Sequence, residues 1–426
     1  VSDKPTEKPD AGKVLLEELN GGPPSHLPLS RRIGRTLLIP ALAVFSGLVL
    51  GAILIAFTSQ SVYSAWSISP WEAVKAGINE VRLAYGALFA GSIGDPARIL
   101  DALRSGDSLE VRRAFNPILE SLTASTPYIF GSLAVALGFR SGVFNIGVEG
   151  QIFIGAIFSA FVGYAVTGLP AIIHIPLALL AGALGGAIWG FIPGWLKAKT
   201  GGHEVINTIM MNYIAFRLSD WLLSGPMKRP DSFNPVSPTI QPSAMLPRFF
   251  QSPIRFHLGF FIALATAWLV YWLLFRTRWG FDLRSVGINP RAARYAGMSI
   301  VTVTIMAMSL SGGLAGLAGA NEVLGLNHNL AMAFSSGYGF DSIALALLGK
   351  NHPVGVILAS LLFGTLRTGA TRMQVVAQIP IDIITVLQAF ILIFIAAPAI
   401  IRTIYRLRTP ETEEEEGVTI RGWGGG

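Results

Sequence analysis

The chain has 426 residues, 52% of them hydrophobic and only 13% charged, with a mean hydropathy of +0.55. A soluble chain carries roughly 25% charged residues, so this is a polytopic membrane protein, and its continuously apolar runs point to helices rather than a transmembrane β-barrel. The net charge of +7 comes without a basic stripe interleaved with stacking aromatics, which argues against a nucleic-acid polymer as partner, and zero cysteines exclude disulfides, thiolate metal sites and cysteine catalysis.

In chain order, residues 1–36 read as a polar cytoplasmic tail, with no cleavable signal evident because the first apolar run begins only at Leu37. Ten spans follow at about 37–57, 118–139, 151–168, 173–196, 203–225, 256–275, 300–323, 338–349, 354–370 and 379–401, within a transmembrane body 37–405. The eighth is too short to cross alone and reads as a re-entrant or broken helix. The tail 406–426 contains the acidic run Glu413–Glu416. An even count places both termini on one side. Arg31, Arg32 and Arg35 before the first span, with Arg402, Arg406 and Arg408 after the last, put that side in the cytoplasm. The same topology brings Lys197, Lys199 and five arginines of loop 276–299 inside, whereas loop 226–255 lies outside despite Lys228, Arg229, Arg248 and Arg255.

Between the first two spans, residues 71–94 have intermittent apolar spacing and read as an amphipathic helix along the outer surface. Residues 138–151 and 334–355 mix glycine, an aromatic and a carboxamide or carboxylate beside apolar helix. Irregular backbone at membrane depth survives only where protein buries it or water lines it. Each of these stretches follows a long span and precedes a proline-initiated one, as in a diverged transporter repeat.

Loop 276–299 carries the sharpest local signal. Asn289 suits an N-cap, Pro290 the first helical position, Arg291 to Ala296 the body, and Gly297 the left-handed end. The helix is only about 10 Å long at ~1.5 Å per residue, so it must dock on a neighbour to persist. The plainer alternative is a loop with membrane-flanking arginines.

Neither Gly-Lys pair continues into a P-loop, no His-x-x-x-His spacing occurs, and no serine elbow is present, so the residues favour transport over catalysis. Ionisable residues within the spans are few: Glu149, Glu204, Glu322, Asp341 and Asp382, all near span ends or breaks, where snorkelling or local hydrogen bonding competes with a role in a solute path. Asn145, Gln151, Asn207, Asn212, Asn321 and Asn351 suit a neutral solute better, since carboxamides both donate and accept. Phe144, Tyr213, Tyr338 and Phe340 suit stacking on a flat ring, or ordinary packing.

Four blocks in order, FRSGVFNIGVEGQ (139–151), GHEVINTIMMNYIA (202–215), GINPRAARYAGM (287–298) and FSSGYGFDSIALALLGKNHPVGV (334–356), resemble ABC importer permeases of the nucleoside and simple-sugar type, relatives of the ribose and branched-chain amino-acid permeases. The resemblance covers about 37–405. It implies an all-α importer permease fold of about ten transmembrane helices in the cell membrane. Gly287, Asn289, Ala292, Ala293, Ala296 and Gly297 match the coupling helix, and Pro290, Arg291, Arg294 and Tyr295 belong to the same segment. It also implies a cytoplasmic ABC ATPase holding ATP-Mg on a separate chain, a second related permease forming a heterodimer, and an extracytoplasmic solute-binding lipoprotein. The substrate class it implies is nucleosides. The path residues expected are Phe144, Asn145, Glu149, Gln151, Asn207, Asn212, Tyr338, Phe340, Asp341 and Asn351, with no cofactor or metal in this chain. The alternative is an ion-coupled secondary transporter of a small polar solute.

Overall fold

The computed structural model describes residues 29–407; the tails at 1–28 and 408–426, with Arg408 and the acidic run, lie outside the described residues. The described chain divides into two compact units, residues 29–46 with 397–407, and Gly47–Ala396. In the first, Ser46 Oγ donates to the Leu42 carbonyl and shares a 3.0 Å hydrogen bond with the Tyr405 hydroxyl.

The helices in order are α1 (Leu29–Thr58), α2 (Gln60–Trp66), α3 (Pro70–Ser92), α4 (Pro96–Ser105), α5 (Ser108–Arg140), α6 (Val148–Ala165), α7 (Ala171–Thr200) and α8 (Glu204–Ser224). Then come α9 (Gly259–Arg276), α10 (Arg278–Ile288), α11 (Pro290–Tyr295), α12 (Ile300–Asn321), a six-residue π-turn (Glu322–Asn327), α13 (Tyr338–Leu348), α14 (Pro353–Ala377), α15 (Ile381–Ala396) and α16 (Pro398–Ile404). No strand occurs among the described residues, only two isolated bridges. Capping residues followed by proline start several helices: Ser69-Pro70, Asp95-Pro96, Asn289-Pro290 and His352-Pro353 each accept a backbone N–H of the first turn.

Every expected span contains a helix, and seven are long and apolar enough to cross a membrane. The segment at 203–225 is helical as α8 but falls outside those seven. The eighth is the eleven-residue α13, too short to cross, and the tenth breaks at Pro398 into α15 and α16. Two expectations gain detail. Residues 71–94 do form a helix, α3, but it packs along α14 through small residues Ala73, Gly77, Ala84, Ala87 and Gly91. Its exposed side is mixed, with Lys75, Asn79 and Arg82 beside Trp71, Val74, Ile78, Leu83 and Phe89, and the helix is not among the seven apolar enough to cross a membrane. Loop 276–299 is not a loop with one short helix: α10 precedes α11, capped by Thr277 and seated on Gly280, Leu283 and Val286.

At the centre, α6, α7 and α12 meet through glycine. Gly182, Gly186 and Gly190 of α7 lie backbone to backbone against Gly312 and Gly316, and Gly155 of α6 lies against Gly316. The column works because no Cβ holds the axes apart. A larger core around α5 joins α6, α9, α10, α12 and the buried Ala293 of α11. The proline-rich segment 226–255 is tied down rather than loose: Ser237, Ile240 and Leu246 donate backbone hydrogen bonds to Leu330, His328 and Leu324, closing it over the π-turn.

Candidate functional site

The basic segment α10–α11 sits at the end of α5. The Asn289 side chain accepts from Ala292 N at 3.0 Å, Pro290 opens the helix, and Gly297 follows it at φ 84°, as its local chemistry requires. Ala293 is 3% exposed and locks the short helix onto the core, while Arg291, Ala292, Arg294, Tyr295 and Ala296 face outward, Tyr295 at 94% exposure. Gly287 lies directly on the Arg140 carbonyl and on Gly142, which itself has φ 71°. Arg140 Nε donates to the Asn351 carbonyl at 2.7 Å, and the Arg140 and Arg284 guanidiniums lie 5.1 and 5.2 Å from the Phe275 ring. The end of α5, the start of α14 and the basic segment are therefore one tightly fitted assembly.

Further along α5, the irregular stretches 138–151 and 334–355 are brought together. The Glu149 carboxylate accepts from Ser335 Oγ at 2.6 Å and from Gly339 N at 2.5 Å, capping α13 from the other stretch. Asn145 Nδ2 donates to Gln151 Oε1 and Ser311 Oγ, both at 2.8 Å, and its Oδ1 accepts from Gly147 N and Gln151 Nε2. Asn212 Oδ1 accepts from Gly150 N, and its Nδ2 donates to the Ile146 carbonyl. All four side chains are buried, with these hydrogen bonds inside the chain. Asn351 holds a left-handed backbone at φ 52°, Phe144 is exposed and lies against Phe139 with the rings tilted by 51°, Phe340 is exposed, and Asn207 is half-buried on α8. Glu204 pairs with Lys197 at 2.6 Å, a local helix-end pairing, and Asp382 is exposed.

At the other end of α5, some twenty residues or about 30 Å from Arg140, a cavity of about 670 Å³ opens. Its walls include Asn116 and Glu120 of α5, Arg255, Glu322 of the π-turn, Tyr338 of α13 and Arg367 of α14. Arg255 clasps Glu120 with contacts of 2.6 and 3.1 Å. Arg367 hydrogen-bonds Tyr128 and Ser336, stands 3.7 Å from Asp341, and lies over the Tyr338 ring at 5.2 Å. Tyr338 and Asp341 were expected from sequence. Arg367 was missed, although an arginine inside an apolar run is itself a signal. Glu322 was read as an end-of-span acid and belongs to the cavity wall.

These features are those of a permease, and comparison with known proteins agrees. The profile of the family described as "Branched-chain amino acid transport system / permease component" matches residues 117–396. The chain belongs to this family. Among relatives of this permease, the "Guanosine ABC transporter permease protein NupP" of Bacillus subtilis is 38% identical over 374 residues, 86% of this chain and 95% of that protein. The "Glucose ABC transporter permease protein TsgB13" of Haloferax volcanii is 37% identical over 65% of this chain and 75% of its own length. The "Nucleoside ABC transporter permease protein NupB" of Lactococcus lactis is 31% identical over 87% of this chain and 93% of its own. No solved structure matches the permease. It is a multi-pass membrane transport component.

Proposed function

We infer that this chain is one permease subunit of an ATP-driven importer for nucleosides, working by alternating access. ATP-Mg is bound and hydrolysed on a separate cytoplasmic ABC ATPase, an extracytoplasmic lipoprotein delivers the solute, and both termini face the cytoplasm. The observation that carries this reading is α11: a charged helix that anchors on the core by Ala293 and offers Arg291, Arg294 and Tyr295 to a partner. Closure of the ATPase pair pushes α11, and Gly287 passes the displacement to Arg140 and thus to α5. Gly287, Asn289, Pro290, Ala292, Ala296 and Gly297 shape that contact.

The guanosine and nucleoside names of the relatives support the substrate class. Bacillus subtilis has both NupP and NupQ, and Lactococcus lactis both NupB and NupC, which supports a second, related permease. The far-end cavity mixes charge of both signs, with arginines 255, 367 and 372 facing Glu120 and Glu322, and Asp341 pairing with Arg367 beside it.

Affinity purification from native membranes followed by reconstitution tests the reading. An ABC ATPase and a solute-binding lipoprotein should co-purify, and nucleoside uptake should require ATP and the ATPase. Concentrative uptake by the purified chain alone, driven by an ion gradient, would establish the secondary transporter instead.

A further inference from the structure

Glu322 is the acid of the far-end cavity that the fold leaves unused. It is 3% exposed yet lines the cavity, and although the charges of Arg367 and Arg255 act on it, no hydrogen bond or ion pair within 4 Å holds it among the described residues. The other acids nearby are engaged, Glu120 by Arg255 and Asp341 by Arg367 and Tyr128. A second acceptor in the same wall is also idle, because Asn116 Oδ1 is buried without a partner. Burying a polar group without compensation is unfavourable, and two such groups around one cavity mark a place where a ligand completes the hydrogen bonding. Glu322 also sits on a π-turn, a backbone form that recurs at functional sites.

Resting on the nucleoside reading, we propose that Glu322 is the solute-recognising acceptor of this cavity and that it binds a pair of adjacent N–H or O–H donors on a neutral solute. A carboxylate's two oxygens match two parallel donors. A nucleoside offers such a pair at the N1–H and 2-amino edge of guanine and at the ribose cis-diol. The volume falls within the range of small-molecule sites, roughly 300–1,000 Å³.

The test uses the assembled transporter in proteoliposomes. Glu322→Gln should weaken guanosine uptake affinity by roughly 10- to 100-fold. Inosine lacks the 2-amino group and 2′-deoxyguanosine lacks one hydroxyl. A penalty that shrinks with inosine assigns the base edge, and one that shrinks with deoxyguanosine assigns the ribose. Unchanged guanosine affinity in Glu322→Gln overturns the proposal. Should that variant not assemble, the cysteine-free sequence offers another readout. Thr371→Cys places a unique thiol of this chain on the cavity wall, and saturating guanosine should slow its modification by a membrane-impermeant methanethiosulfonate several-fold. Equal rates with and without guanosine also overturn it. If the wild type carries glucose and no nucleoside, the nucleoside reading falls, while the same variant and protection experiments with glucose, which has adjacent hydroxyls, still decide the role of Glu322.

Discussion

The two ends of α5 are built on opposite rules. At Arg140, backbone meets backbone: Gly287 lies on the Arg140 carbonyl and on Gly142, and no side chain intervenes. At Glu120, charged side chains stand around open volume, and the walls come from α5, the segment at Arg255, the π-turn, α13 and α14. A close-packed contact passes displacement on without slack, whereas a cavity with several independent walls can change shape when one wall moves. On the proposed reading, the first end would receive force and the second would release a solute.

Reversing the charge of α11 should have the largest effect. With Arg291→Glu and Arg294→Glu together, the permease should stay folded, because both side chains are exposed, while ATP-driven uptake falls by about 100-fold or more through like-charge repulsion with the docking partner. Undiminished uptake in reconstituted vesicles would remove α11 from the mechanism. Gly287→Ala should come next, with at least a roughly tenfold loss of uptake, since the added methyl falls on the Arg140 carbonyl. Solute protection of a thiol at position 371 should survive, so the two ends would be separated experimentally. At the open end, Asp341→Ala frees Arg367 from its acid and should reduce solute transport several-fold more than it reduces co-purification of the ATPase.

Asn145→Ala asks whether the middle of the molecule follows either rule. It strips partners from Gln151, Ser311 and Gly147 N, so it should cost about 1–3 kcal/mol of stability, read as a lower melting temperature in detergent. A normal melting temperature with lost transport would instead put Asn145 in the solute path. Asn289→Ala is the mildest change. Losing the cap of α11 costs about 1 kcal/mol, and uptake should fall only a few-fold.

What the sequence made legible was local. The bounds of α11 follow from Asn289, Pro290 and Gly297, each acting on its immediate neighbours, and the long apolar helices follow from composition. The helix α10 was hidden because Gly280 and Gly287, which let it pack tightly, weaken any apolar period along 278–288. The packing of α3 was hidden for a related reason: alanine and glycine bury well yet read as weakly apolar. Carboxamides gave no way to tell a solute contact from an internal one, since Asn145 and Asn212 bond to protein with the same atoms they would offer a ligand. The cavity depends on Glu322, Arg367 and Arg255 meeting from positions far apart in the chain, which no spacing encodes.

The glycine column has a mechanical consequence. Helices pressed together at the main chain cannot shear past each other without first being lifted apart, so α6, α7 and α12 act as a keel. In the proposed transport cycle, rocking would pivot around that trio rather than through it. The natural fulcrums are the bends on either flank at Gly142 and Gly337, both in left-handed geometry.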